Sequence, residues 1–165
     1  MESDNVFKGK IKDSTIFDFK ELYEFMYHWL VDEGYDVIEK KYTEKMDARG
    51  KELEIEWNAY KKVSDYFRFR INVRWYINSL VYVEVEENGK KRKMNKGTIE
   101  IKFAADLEKD YEHRWENNPI AKFLRNVYDR YVIRGRIEYY EGRIFSETDE
   151  LIAQVKSFLA IEGMH

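Results

Sequence analysis

Three clusters of side chains have the types and spacing that chemistry requires. Glu24, His28 and Asp32 stand four residues apart, so on a helix they share one side and present carboxylate, imidazole and carboxylate in a row. Such a row suits a metal ion or a proton relay, but no second histidine is expected to reach it. Its ordinary reading is a solvated helix face. "DLEKDYEH" gathers Asp106, Glu108, Asp110, Glu112 and His113. On a continuing strand the four carboxylates share a side and would attract a hard cation, but the glycine turn and ligand order of an EF-hand are absent. Lys109 and Arg114 offset the charge. These are the weak metal candidates, and neither a metal nor a cofactor is expected.

The third cluster is basic. "GKKRKMNKG" carries Lys90, Lys91, Arg92, Lys93 and Lys96 around an Asn88-Gly89 turn. It is the one concentrated basic patch, fit for a phosphate, an acidic partner or an anionic surface. Lysines at a protruding hairpin also serve solubility and discourage edge pairing, and Glu84, Glu86 and Glu87 dilute the field. Trp115 in "HRWENNP" and Tyr139 beside Tyr140 in "IEYYEGR" are candidate exposed aromatics. No phosphate-cradling glycine loop, nucleophile elbow or dinucleotide fingerprint occurs, and no spacing selects a catalytic pair from the 32 acidic residues.

Composition narrows the classes further. The 165 residues suffice for one domain with a real core, and no Pro/Gly/Ser-rich hinge divides them. Cysteine is absent, which excludes disulfides, thiol catalysis and cysteine-ligated zinc. A net charge of -3 gives no global attraction to phosphate backbones. Aromatics make up 16%, so the core should be rich in rings. The first residues lack the apolar core of a signal peptide and no run reaches membrane-span length, so a soluble, cytoplasmic protein is expected. One glutamine, one proline and abundant Lys and Glu lean toward a heat-adapted source, against nine asparagines.

The elements that must position these residues follow from periodicity. A short strand is expected at Val6 to Ile11. A helix over about 19–33 is capped by Asp18, stopped by Gly34, and carries the stripe Phe19, Leu22, Tyr23, Met26, Trp29 and Leu30. The period then changes to two, giving strands over about 35–44, 52–60, 66–77, 80–87 and 98–108. Asn118 and Pro119 open a helix over about 119–133 with the stripe Ile120, Phe123, Leu124, Val127, Tyr128 and Tyr131. A last helix covers about 136–160 through Ile137, Tyr140, Ile144, Leu151, Val155 and Phe158. The fold class is α+β: a single domain over 1–165, with a curved antiparallel sheet of four to six strands and the helices mainly on one face.

Parity tests "YFRFRINVRWYIN". Phe67, Phe69, Ile71, Val73, Trp75 and Ile77 point inward, leaving Arg68, Arg70 and Arg74 outward. A turn near Lys62-Val63 pairs Leu53 with Val73, Ile55 with Ile71 and Trp57 with Phe69. It sets Glu52 opposite Arg74, Glu56 opposite Arg70 and Asn58 opposite Arg68. The next hairpin pairs Val83 with Met94, and a bulge near Asn95-Lys96-Gly97 restores Ile99 to Ile77. Partnered arginines form a solvated ladder, so nucleic acid is not the expected partner here.

A curved sheet closed by a long C-terminal helix resembles the helix-grip arrangement of START-like lipid-binding proteins, in element order alone and with an extra helix at Ile120 to Tyr131. The resemblance implies an apolar small-molecule ligand between sheet and helix, with Trp57, Phe69, Trp75 and Phe103 as the cavity candidates. So many aromatics are expected to fill that space instead. The primary expectation is a non-catalytic interaction protein. It would contact a protein partner or its own copy through the hairpin tip or exposed aromatics.

Overall fold

The computed structural model describes residues 2–112, 118–128 and 134–164. Five antiparallel strands form one sheet in the order β1-β5-β4-β3-β2. They are β1 (Glu2–Phe17), β2 (Asp36–Asp47), β3 (Gly50–Lys62), β4 (Phe67–Glu87) and β5 (Lys90–Lys109). The helices are α1 (Phe19–Asp32), α2 (Pro119–Val127) and α3 (Arg134–Glu162). No described helix is long and apolar enough to cross a membrane.

The local signals act as their chemistry requires. Asp18 Oδ1 accepts from the Glu21 backbone N–H at 3.1 Å, and Asn95 Oδ1 accepts from that of Phe19 at 2.9 Å, so α1 is capped from two elements. Gly34 takes a φ of +97° where the Tyr35 N–H returns to the Leu30 carbonyl, ending the helix. Asn88 and Gly89, at φ 53° and 75°, form the tight turn between β4 and β5.

The core lies between the sheet and the helical layer of α1 and α3. Trp57, Phe69, Val73, Trp75, Ile101 and Phe103 from the sheet meet Leu22, Met26 and Leu30 of α1 and Ile144, Leu151 and Val155 of α3. Phe25 of α1 stacks on Phe158 of α3 at 5.3 Å, and Phe7 of β1 meets Phe145 edge-on at 4.8 Å. A Cβ on Gly9 would come within 2.5 Å of the Ile152 side chain, so that glycine lets α3 approach β1.

Five expectations need correcting. The first strand runs from Glu2 to Phe17, well beyond Val6 to Ile11, because pairing with β5 supplies hydrogen-bond partners along its whole length. The strands expected over 66–77 and 80–87 are one, β4, which carries a register irregularity between Asn78 and Val81. Ile99 does pair with Ile77, Ile101 with Trp75 and Val83 with Met94, but Ser79, at φ 55°, marks the irregularity on β4 opposite Gly97. The β3–β4 register also differs: Leu53 pairs with Ile77, Ile55 with Trp75 and Trp57 with Val73. The loop is longer than the tight turn expected, and Ser64 Oγ accepts from the Phe67 N–H at 2.9 Å to close it. The shift is even, so every residue keeps its face. Finally, Ile120, Phe123 and Leu124 of α2 are exposed, not a buried stripe, because α2 lies outside the helical layer that covers the sheet.

Candidate functional site

Past the β4 irregularity, where β3 pairing ends at Lys51 opposite Leu80, β4 continues with β5 as a two-stranded hairpin beside the far end of the β2–β3 hairpin. Gly50, at φ +135°, brings that second hairpin against β4, where a Cβ would lie 2.7 Å from the Leu80 carbonyl oxygen. Between the two hairpins and the start of α1 runs a groove of about 590 Å³. Phe19, Leu53 and Leu80 are part of its lining. Tyr42, Met46, Val81 and Tyr82 also line it and remain open to water, Met46 at 70% and Tyr82 at 60% exposure. Lys93 stands 4.1 Å and Lys51 5.8 Å from the Tyr82 ring centre, so an apolar surface is bordered by cations.

The basic hairpin divides in two. Lys90, Lys91, Lys93 and Lys96 are exposed, and the ladder places Lys90, Lys91 and Lys93 opposite Glu87, Glu86 and Glu84. Arg92 turns the other way. Its guanidinium reaches Glu87 at 2.9 Å, Glu21 at 2.8 Å, Asp18 at 3.2 Å and Glu162 at 3.9 Å. The bond to Glu87 is the largest cause holding Arg92 protonated above its ordinary range, with Glu21 adding to it. Burial beside Glu21 pushes the Glu162 carboxyl up. Arg92 therefore clamps the hairpin to the start of α1 and the end of α3, and it orients one side of the groove.

The other candidates sit as follows. Glu24, His28 and Asp32 face water on α1. Asp106 accepts from Arg70 and, at 2.8 Å, from Asn5; Glu108 accepts from Arg68 Nε at 2.8 Å; Asp110 lies 3.8 Å from Arg125. Arginines thus occupy Asp106, Glu108 and Asp110, which would otherwise attract a cation. Among the described residues no group of three His, Asp or Glu side chains is arranged to hold a metal ion. His113, Trp115 and Tyr131 lie outside the described residues. Tyr139 is exposed, while Tyr140 packs on Phe67 at 5.0 Å.

Trp57, Phe69, Trp75 and Phe103 are at most 2% exposed. Trp57 and Trp75 meet edge-on at 5.3 Å, and Phe69 touches Tyr140 at 6.0 Å. Trp57 Nε1 donates to Glu39 at 3.2 Å, and the same carboxylate accepts from the Tyr23 hydroxyl at 2.7 Å. Burial and that carboxylate push the Tyr23 phenol up to about 12. These rings pack on one another and on the helices.

The arginine ladder is real with different partners. Arg74 Nε donates to Glu56 at 3.0 Å, whereas Arg70 and Arg68 bond across to β5. Sequence reasoning missed the groove because Tyr42 and Met46 on β2 become neighbours of Val81 and Tyr82 on β4 only once the hairpins lie side by side. The available signal was the run of large apolar residues at a strand end with no matching partner on either helix. Comparison with family models, curated proteins and solved structures finds no match for this chain.

Proposed function

We propose that this is a non-catalytic interaction protein that docks an apolar segment of a protein partner, or of its own copy, in the groove between the two hairpins. The observation that carries the reading is the contiguous exposure of Tyr42, Met46, Val81 and Tyr82 around that groove. Single exposed hydrophobes are ordinary, but a cluster rimmed by charge marks an interaction surface. The rings supply contact area at low entropic cost, Met46 adapts to irregular shapes, and the lysines favour a partner with acidic flanks.

Two measurements test the reading. Sedimentation velocity over a hundredfold concentration range detects self-association, and Met46→Asp with Tyr82→Asp should abolish any that is seen. A photo-crosslinking amino acid at position 82 should capture a discrete partner in the native host, while one at the exposed Glu138 should not. A strictly monomeric protein with equal crosslinking at the two positions defeats the proposal.

A further inference from the structure

The polar face of the sheet carries a second surface, which does not depend on the groove. A shallow trough of about 790 Å³ crosses four strands there. Ala104, Asn72 and Asn58 lie side by side on β5, β4 and β3 and form its centre. Longer side chains flank them. Lys8, Lys10, Lys102, Arg70 and Arg74 line the trough against only Glu56 and Asp106, in a chain whose net charge is -3.

The cations are not equivalent. Arg70 is held by Asp106 and Arg74 by Glu56, so the arginines are committed within the sheet. The lysines are much freer. Lys10 and Lys102 share Glu100 at 3.9 and 3.6 Å, and Lys8 has no ion pair among the described residues. All three are exposed on the β1 side of the trough. On the other side stand amides: Asn72 Nδ2 donates to Glu56 at 2.9 Å and to Asn58 Oδ1 at 2.8 Å. Half-buried tyrosines flank the trough along the strands, Tyr60 paired with Arg70 and Tyr76 two residues beyond Arg74. Arg68 lies 4.5 Å from the Tyr60 ring and Lys102 5.5 Å from the Tyr76 ring.

Along one wall stand exposed lysines with at most one long ion pair each, with amides in the centre and tyrosines flanking the ends. These are parts that hold an unpaired strand: phosphates on the lysines, base edges on the amides, and bases beside rings that Arg68 and Lys102 already flank. A duplex could not offer base faces to this surface, because they are stacked within it, and its base edges lie recessed in the grooves. The arginine ladder alone gave no reason to expect nucleic acid on this face, but the lysines that β1 and β5 add beside it do. We infer that the trough binds single-stranded nucleic acid, with Lys8, Lys10 and Lys102 on its phosphates and Asn58 and Asn72 beneath its bases.

The test is fluorescence anisotropy with labelled oligouridine and oligothymidine 12-mers, a duplex of equal length, and inorganic phosphate as competitor. The single strands should bind saturably and at least tenfold tighter than the duplex, and the logarithm of affinity should fall with that of salt with a slope of about -2, as three phosphate contacts on a single strand require. Lys8→Glu with Lys10→Glu should weaken binding at least tenfold while circular dichroism stays unchanged. Lys90→Glu with Lys91→Glu alters net charge equally on the hairpin, outside both surfaces, and should weaken it less than threefold. No saturable binding at low salt, preference for the duplex, displacement by millimolar phosphate, or equal losses from the two charge reversals would each overturn the inference. None of these outcomes bears on the groove, whose tests use no nucleic acid.

Discussion

On the face toward the helices, Trp57, Val73 and Phe103 stand side by side across three strands, sealed from water. One residue along, on the opposite face, Asn58, Asn72 and Ala104 stand side by side under solvent. The backbone pairing is the same, but the inner row is fixed by close packing and apolar burial, and the outer row by hydrogen bonds that compete with water. The outer row is therefore where side chains can serve recognition at little cost to folding. The hairpin end combines both characters, since Tyr42, Met46, Val81 and Tyr82 there are apolar and exposed.

Substitutions should separate these regimes. Trp75→Ala removes a fully buried ring next to Phe19, Tyr23 and Trp57, and should cost about 3–5 kcal/mol in urea unfolding. A loss comparable to that of an outer-face variant would break the contrast. Arg92→Ala strips the cation from Glu87, Glu21 and Asp18 and should cost about 2 kcal/mol, with faster amide exchange in residues 84–94 as its local signature. Arg74→Ala removes an exposed pair with Glu56 and should cost under about 1 kcal/mol, less at high salt.

The smallest effect is in pH. The Asn72 hydrogen bond, with Arg74 beside it, holds the Glu56 carboxyl below its ordinary value of 4.5. The folded state thus binds this proton more weakly than the unfolded chain. Its stabilisation is present above pH 4.5 and is lost as pH falls through the lower folded value. Glu56→Gln should flatten that part of the stability curve, and unchanged acid sensitivity would show that the contact contributes nothing.

Faces were legible in the sequence, but partners were not. Alternation placed Phe67, Phe69, Val73 and Trp75 inward and Arg68, Arg70 and Arg74 outward, and the structure agrees at each position. The same pattern could not tell Glu56 opposite Arg70 from Glu56 opposite Arg74, because registers differing by an even number of residues bury the same side chains. The Ser64 loop settles that choice. The short strand expected at Val6 to Ile11 carried no reading of Lys8 and Lys10, and the sequence did not show that it lies against β5, which brings Lys102 beside them. For α2, a helical apolar stripe was mistaken for a buried one, since amphipathicity records which face is apolar and not whether anything covers it.

By itself, then, the order of residues determined the element types, the caps of α1 and α2, the tight turn at Asn88-Gly89 and the side of the sheet taken by the alternating residues of β3 and of β4 up to Ile77. These depend on neighbours a few positions away. Only the tertiary structure decided the strand order, the ion-pair partners, the groove between hairpins and the basic trough. Those depend on segments far apart in the chain, such as β1 meeting β5, whose association is selected by the combined packing of the whole core.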